Sequence, residues 1–170
     1  RHIQPLIRGG GQERGQRSGT ENMPGIMAFA AAAKEAYAGM DRFNAQMREV
    51  RERLISCLQE QVPDVYVNSP EDGAAHILNL SFLGCRSEVL LHYLEEKGVY
   101  VSAGSACNSR STKGSHVLQA MHLPAERIDS ALRFSFSRYN TVEEAEQAAT
   151  LIGEAVVEVR KIMGYAQKKR

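Results

Sequence analysis

Two short segments with alternating apolar and polar residues place the strongest constraint on the fold of this chain. In HILNLSFLG, the apolar Leu78, Leu80 and Phe82 alternate with polar residues, and this period of two predicts a half-buried strand. The segment at 132–137 alternates in the same way. A fold that accommodates both segments must contain a sheet with one apolar face and one polar face.

Before the first of these strands, the sequence favours two helices. The segment from about Pro24 is rich in alanine and other helix-forming residues, and Gly39 is expected to end it. A second helix is predicted over about 41–61, where apolar residues recur at spacings of three and four. Cys57 lies beside this apolar stripe and is interpreted as part of the core.

The remaining elements are shorter, except for the last helix. Thr141 and Glu144 form a capping box that opens a helix over about 142–163. We also predict a short strand near Ile3–Ile7, strands at 65–67 and 99–103, a helix over 88–97 capped by Ser87 and ended by Gly98, a short helix capped by Ser115, and a brief helix after Pro124. Because the strands are few and the helices long, this order predicts an α+β fold, a small sheet with helices packed on one face.

Composition narrows the class of protein. The 170 residues are 43% apolar and 24% charged, with a net charge of +1. These values are typical of a soluble globular protein and give no field that would attract nucleic acid or a membrane surface. The three cysteines have no CxxC spacing, which disfavours a disulfide framework or a zinc site and favours a reducing cytoplasm. The chain begins at Arg1 rather than methionine, and its first twenty residues are unusual, so we expect a piece of a longer protein.

One cysteine lies in a segment without large apolar residues that could bury it. Cys107 lies in SAGSACNSRSTKGSH, among serine, glycine and alanine, and such a frame leaves a thiolate nucleophile accessible and mobile. Gly104 adds backbone freedom, and the positive charges of Arg110 and Lys113 favour the thiolate. The alternative is an ordinary unpaired cysteine in a polar surface loop. His116 follows this segment and is either a proton-transfer group or plain polar surface.

The second alternating strand carries an arginine on its polar face. Arg133 is flanked along that face by Ser135 and Ser137, which leave room above it for a small planar anion. A guanidinium binds a carboxylate through two parallel hydrogen bonds. The alternative is that Arg133 pairs with an acidic residue of a neighbouring helix.

The N-terminal segment GGGQERGQRSGTEN combines glycines with hydroxyl and cationic donors. Ser18, Thr20 and the arginines of this segment suit a phosphate group. The pattern fits neither the Walker nor the dinucleotide fingerprint, and a tight turn with solvated arginines is the alternative.

Taken together and in this order, GGGQERGQRSGTEN, SAGSAC and LRFSFSRYNTVEE resemble the C-terminal part of a cysteine desulfurase of the NifS/IscS type, within the class V aminotransferase family. The resemblance covers the chain from Arg1 to about Met163. It implies the C-terminal small domain of a fold-type I pyridoxal-phosphate enzyme, with a short, mainly antiparallel sheet covered by long helices. Residues 1–35 would be the end of the large cofactor-binding domain and residues 36–170 the small domain with the catalytic-cysteine loop.

The resemblance also implies a role for each candidate residue. Cys107 matches the cysteine that takes sulfur from L-cysteine as a persulfide, leaving L-alanine, and that in this family can also contact an iron–sulfur cluster. Arg133 matches the arginine that holds the substrate carboxylate. Thr20 matches the hydroxyl that reaches the phosphate of pyridoxal 5'-phosphate in the partner subunit of a homodimer. The loop resembles the branch with a long, mobile catalytic loop, so Cys107 would be unburied because it must move from substrate to sulfur acceptor.

One departure from the family pattern affects the expected activity. The serine–histidine–lysine segment whose lysine binds the cofactor does not occur in this chain, so we expect these 170 residues alone to be inactive. The resemblance implies transfer to iron–sulfur scaffold or thiolation proteins in the cytoplasm, with no nucleic-acid or membrane partner. The alternatives are a stand-alone sulfur-carrier or binding module without cofactor chemistry, and another class V member such as a selenocysteine lyase or an aminotransferase.

Overall fold

The computed structural model of the chain describes residues 4–103 and 115–165. Its helices are α1 (Met23–Gln61), α2 (Ser87–Glu96), α3 (His116–Ala120), α4 (Ala125–Asp129) and α5 (Val142–Ile162), and a 3-10 turn covers Gln12–Gly15. Its strands are β1 (Val65–Val67), β2 (Ile77–Phe82), β3 (Ser102–Ala103) and β4 (Ala131–Ser135). The chain divides into two compact units, Arg1–Met40 and Asp41–Arg170.

The second unit contains a four-stranded sheet in which every neighbouring pair of strands is antiparallel. The strand order is β1-β2-β4-β3. Residue Leu80 of β2 lies opposite Val67 of β1 and Leu132 of β4, and β3 pairs with the other edge of β4. The two alternating segments of the sequence therefore become the two central strands.

The core lies on the apolar face of this sheet. Strand residues Leu78, Leu80, Phe82 and Leu132 are fully buried, and they belong to one cluster with buried residues of α2, α5 and the C-terminal half of α1. The helix residues of this cluster with the least exposure are Leu58, Leu90, Leu94, Ala149, Ile152, Ala155, Val156 and Val159. The arrangement confirms the predicted α+β fold, with a small sheet and long helices packed on one face.

Two of the three predicted helix caps are confirmed. At α5 the hydroxyl of Thr141 accepts from the amide of Glu144, and the Glu144 carboxylate accepts from the amide of Thr141. Ser115 likewise caps α3 by accepting from the amide of Leu118. The prediction for Ser87 is wrong, because Ser87 is the first residue of α2 and the capping position is Arg86, which makes no side-chain cap.

The predicted break between two N-terminal helices is also wrong. A single helix, α1, continues through Gly39 from Met23 to Gln61. A glycine in a helix interior costs only about 1 kcal/mol relative to alanine. The strong helix formers on both sides of Gly39 outweigh this cost.

Three predicted strands differ in length or presence. Residues 4–7 form no strand. Of the segment 99–103, only Ser102 and Ala103 pair with β4. Strand β4 ends at Ser135 because the chain then turns, and the side-chain oxygen of Asn140 accepts from the amide and hydroxyl of Ser137.

Candidate functional site

The polar face of the sheet carries Arg133 in the middle of a row of polar residues. Arg133 lies directly opposite Asn79 of β2 and directly opposite Ser102 of β3. Directly opposed residues of an antiparallel pair project from the same face, with Cβ atoms about 5 Å apart. The guanidinium Nη2 lies 3.5 Å from the hydroxyl oxygen of Ser102, and the Arg133 side chain is exposed.

No acidic residue within the described ranges forms an ion pair with Arg133. Ion pairs within these ranges include Arg53–Glu146, Arg86–Glu88, His92–Glu95 and Lys97–Glu154. The sequence left open whether Arg133 pairs with an acid of a neighbouring helix, and the described structure contains no such pair. The guanidinium therefore retains its hydrogen-bonding edge for an anion from outside the described residues.

A network of hydrogen bonds covers one end of the same polar face. The Arg127 guanidinium of α4 donates through Nε and Nη2 to the side-chain oxygen of Asn68 and through Nη2 to the carbonyl of Val67. The Asn68 side-chain nitrogen donates to Asn79 Oδ1 and to the hydroxyl of Ser81, both at 2.7 Å. Ser81 is fully buried, and its hydroxyl donates to the carbonyl of Arg127. This end is structural, whereas the end that carries Arg133 is open.

The predicted nucleophile Cys107 lies outside the described residues, together with Gly104, Arg110 and Lys113. The flanks of this segment are described. On one side, Ser102 of β3 pairs with Arg133 and Ala103 follows it. On the other side, Ser115 caps α3. The adjacent His116 is exposed. The described residues that precede the Cys107 segment therefore end beside the candidate carboxylate-binding residue.

The other two cysteines are buried and unsuited to nucleophilic chemistry. Cys57 is 6% exposed and Cys85 is 4% exposed, and both belong to the core, which confirms the interpretation of Cys57. Burial raises the pKa of the Cys85 thiol from 9.0 to about 11, although Arg160 opposes this effect. The thiol of Cys85 therefore stays protonated at neutral pH.

The N-terminal segment, in the first unit, forms a folded loop. The Ser18 hydroxyl donates to the carbonyl of Ile7, and Ser18 is 8% exposed. A Cβ atom added at Gly9 would lie only 2.9 Å from the Ser18 oxygen, so the loop is closely packed there. The Ser18 hydroxyl thus stabilises the loop itself. Thr20, in contrast, is exposed.

A groove of about 390 Å³ lies between α1, α5, the end of β4 and the segment that precedes β3. Its lining is largely apolar and includes Val99, Tyr100, Phe136 and Leu151. Arg133 does not line it. The groove is therefore not the site that the sequence predicted.

Neither a metal-binding cluster nor a membrane-spanning helix occurs in the described part of the chain. Residues 4–103 and 115–165 contain no cluster of three or more His, Cys, Asp or Glu residues that could hold a metal ion. Within the same ranges, no helix combines the length and the apolar character needed to cross a membrane.

Sequence reasoning missed Asn68, Asn79 and Arg127 as members of the site. The alternation showed that Asn79 lies on the polar face of its strand. It gave no indication that Asn68 and Arg127, which lie 11 residues before and 48 residues after it in the sequence, would share its hydrogen bonds. Only the pairing of the strands reveals this set.

Fold and site together define an α+β domain whose open sheet face presents an arginine suited to a carboxylate. Comparison with known families agrees with this class. The model of the aminotransferase class-V family matches residues 7–148. The chain therefore belongs to the aminotransferase class-V family.

Curated relatives in this family carry a more specific name. A cysteine desulfurase of Gluconacetobacter diazotrophicus is 38% identical over 96% of this chain, and the cysteine desulfurase IscS of Methanosarcina thermophila is 39% identical over 98% of it. The cysteine desulfurase NifS of Azotobacter vinelandii is 35% identical over 96% of the chain. The chain spans about 41% of the length of each of these relatives.

Solved structures show the same fold. A NifS-like protein aligns with a TM-score of 0.75 at 34% identity, covering 92% of this chain and 39% of that chain. A NifS-like protein from Rickettsia africae aligns with a TM-score of 0.70 at 27% identity, covering 94% of this chain and 41% of that chain. These alignments confirm the predicted fold class.

Proposed function

We propose that this chain is the C-terminal part of a cysteine desulfurase, which takes sulfur from L-cysteine and holds it as a persulfide on Cys107. The observation that carries the proposal is the position of Arg133. It is exposed on the polar face of the sheet, without an acidic partner among the described residues, and adjoins the strand that leads into the Cys107 segment. The names of the relatives support the same activity.

The proposed domain division follows the family pattern. Residues 1–35 belong to the end of the large domain, and residues 36–170 form the small domain that carries Cys107 and Arg133. The division of the chain into compact units between Met40 and Asp41 supports a boundary in this region.

Substrate recognition begins with the carboxylate of L-cysteine. The Arg133 guanidinium donates two hydrogen bonds to this carboxylate, because the planar fork matches the spacing of its two oxygens. The side chain stands in the centre of the polar row, and its strand is paired on both edges. This rigid support fixes the orientation of the bound amino acid.

The sulfur then passes to Cys107. Its thiolate attacks the sulfur of L-cysteine, a sulfur–sulfur bond forms, and the bond between that sulfur and the substrate Cβ breaks. The electron pair of the broken bond stays on Cβ, which takes up a proton to give L-alanine. Cys107 follows Ser102 by five positions, a length of chain that spans about 18 Å at most.

The cofactor of the proposed reaction is pyridoxal 5'-phosphate, which when bound withdraws electrons from the substrate amino acid. In this chain Thr20 is the residue that would contact its phosphate, in the partner subunit of a homodimer. Its hydroxyl is exposed, and the arginines of the same segment add positive charge. The acceptor of the persulfide sulfur is an iron–sulfur scaffold or thiolation protein in the cytoplasm.

The test is a single-turnover reaction of the full-length gene product with L-cysteine and pyridoxal phosphate. We expect L-alanine to form, and peptide mass spectrometry to find one additional sulfur atom on Cys107. The variant Cys107→Ser should lose both products. Persulfide uptake from a low-molecular-weight persulfide without alanine formation would instead support a sulfur-carrier module. Turnover of selenocysteine but not cysteine would support a selenocysteine lyase.

A further inference from the structure

The network on the polar face fixes the orientation of the Asn79 side chain. A guanidinium can only donate hydrogen bonds. Because Arg127 donates to the Asn68 side chain, the atom that accepts must be the Asn68 oxygen. The Asn68 nitrogen must then face the other way, and it lies 2.7 Å from the side-chain oxygen of Asn79.

The Asn68 nitrogen has no second orientation available. Its two hydrogens go to Asn79 and to the Ser81 hydroxyl, and the hydrogen of that hydroxyl goes to the carbonyl of Arg127 at 2.6 Å. Asn68 is 7% exposed. Reversing its side-chain amide would place the NH₂ group of Asn68 against the N–H groups of Arg127, and buried donors without an acceptor are costly in free energy. The oxygen of Asn79 is therefore held towards Asn68.

Because the oxygen and nitrogen of a carboxamide point in different directions, the nitrogen of Asn79 is directed away from Asn68. It makes no hydrogen bond to any other described residue, whereas the Asn79 oxygen, amide and carbonyl are all hydrogen-bonded. The residue directly opposite on β4 is Arg133. Among the described residues, the Arg133 guanidinium makes one long hydrogen bond, 3.5 Å to the Ser102 hydroxyl, and the Asn79 NH₂ group makes none. The two groups lie on directly opposed residues, and both can donate further hydrogen bonds to one anion.

We propose that Asn79 is a second ligand-binding residue, which donates a hydrogen bond from its NH₂ group to the carboxylate held by Arg133. A carboxylate has about four lone-pair positions, so it can accept two hydrogen bonds from Arg133 and a third from Asn79. Arg127 and Asn68 are positioning residues, because they keep the NH₂ group outward. This inference rests on the proposed role of Arg133.

The variant Asn79→Asp tests the NH₂ group with little change of shape. The aspartate retains an oxygen that accepts from Asn68, but it presents a negatively charged acceptor in place of the outward donor. In the full-length gene product with pyridoxal phosphate, we expect the KM for L-cysteine to rise by about tenfold or more, with kcat changed by less than about threefold.

Two competitive inhibitors locate the effect on the carboxylate. 3-Mercaptopropionate retains the carboxylate and thiol of cysteine, and cysteamine lacks the carboxylate. Asn79→Asp should weaken inhibition by 3-mercaptopropionate about tenfold and leave inhibition by cysteamine within about twofold. The matched control is Ile77→Asp, which adds the same charge on the same face of β2 without removing a donor and should leave both inhibitors within about twofold.

Arg133→Gln separates the two proposals. If this variant leaves inhibition by 3-mercaptopropionate unchanged, the role of Arg133 is wrong and the proposed function loses its support. If Arg133→Gln weakens that inhibition but Asn79→Asp does not, only the inference about Asn79 is overturned. Equal effects of Asn79→Asp and Ile77→Asp would also overturn it, since charge alone would then explain the change.

A measurement on the unmodified protein covers the case in which Asn79→Asp fails to fold. In protein labelled with 15N-asparagine, the side-chain NH₂ signals of Asn79, assigned through Asn79→Ser, should shift with 3-mercaptopropionate and not with cysteamine. Signals that shift equally with both compounds, or with neither, would contradict the proposal.

Discussion

The two faces of the sheet contrast sharply. On the apolar face, Leu80 and Phe82 are fully buried under three helices. On the polar face of the two central strands, exposure differs with position: Ser81 of β2 is fully buried beneath α4, whereas Arg133 of β4 is exposed. One face thus forms the core, and the other is divided between a hydrogen-bonded structural end and an open end that carries the proposed carboxylate-binding residue. The same alternation places apolar side chains in the core and polar side chains at the candidate site.

The largest loss of stability should come from the apolar face. Phe82→Ala removes a fully buried ring that packs against Phe134, with ring centroids 6.4 Å apart. We expect the free energy of unfolding to fall by about 3–5 kcal/mol, because the substitution loses apolar burial and leaves a cavity. Urea denaturation checks this value. A loss below about 1 kcal/mol would mean that Phe82 is not part of the hydrophobic core.

A smaller loss is expected at the covered end of the polar face. Arg127→Met keeps much of the side-chain volume but leaves the oxygen of the buried Asn68 without a donor. The free energy of unfolding should fall by about 1–3 kcal/mol. The control is Arg86→Met, an exposed arginine, which should change it by less than about 0.5 kcal/mol. Equal values for the two variants would remove the distinction between the covered and open ends.

The next effect is a loss of folding stability at alkaline pH, which originates in the core. The pKa of Cys85 is raised by burial from 9.0 to about 11, so between these values the folded state holds a proton that the unfolded state releases. Stability from this group is complete below pH 9 and is lost as the pH rises through 11, by about 3 kcal/mol at most. Unfolding of Cys85→Ala should lack this part of the pH dependence. The control Val159→Ala, which removes no titrating group, should retain it.

The smallest change of stability is expected at the open end of the polar face. Arg133→Gln removes a charge that has no acidic partner among the described residues, and the free energy of unfolding should change by less than about 0.5 kcal/mol. In the same variant, the KM for L-cysteine should rise by about 100-fold, because a bidentate contact to the carboxylate is lost. A loss of several kcal/mol in stability would show that Arg133 is a structural residue.

Local patterns in the sequence were sufficient for much of this molecule. The alternation around Leu80 and Arg133 gave both central strands and their faces, and the capping box at Thr141 gave the start of α5. These predictions succeeded because side-chain alternation and helix capping depend on residues only a few positions apart. The roles of Cys107, Arg133 and Thr20 came from family resemblance and stay predictions.

Tertiary structure decided what depends on partners distant in the chain. Gly39 did not interrupt α1, since the free energy that one glycine costs is smaller than the stability that the rest of the helix supplies. The neighbours of Arg133 could not be read from the sequence. The alternation is local, whereas the register that sets Asn79 on one side of Arg133 and Ser102 on the other joins strands about thirty to fifty residues apart. The sequence by itself determined which face each side chain takes, and the packing of the whole domain determined which side chains meet there.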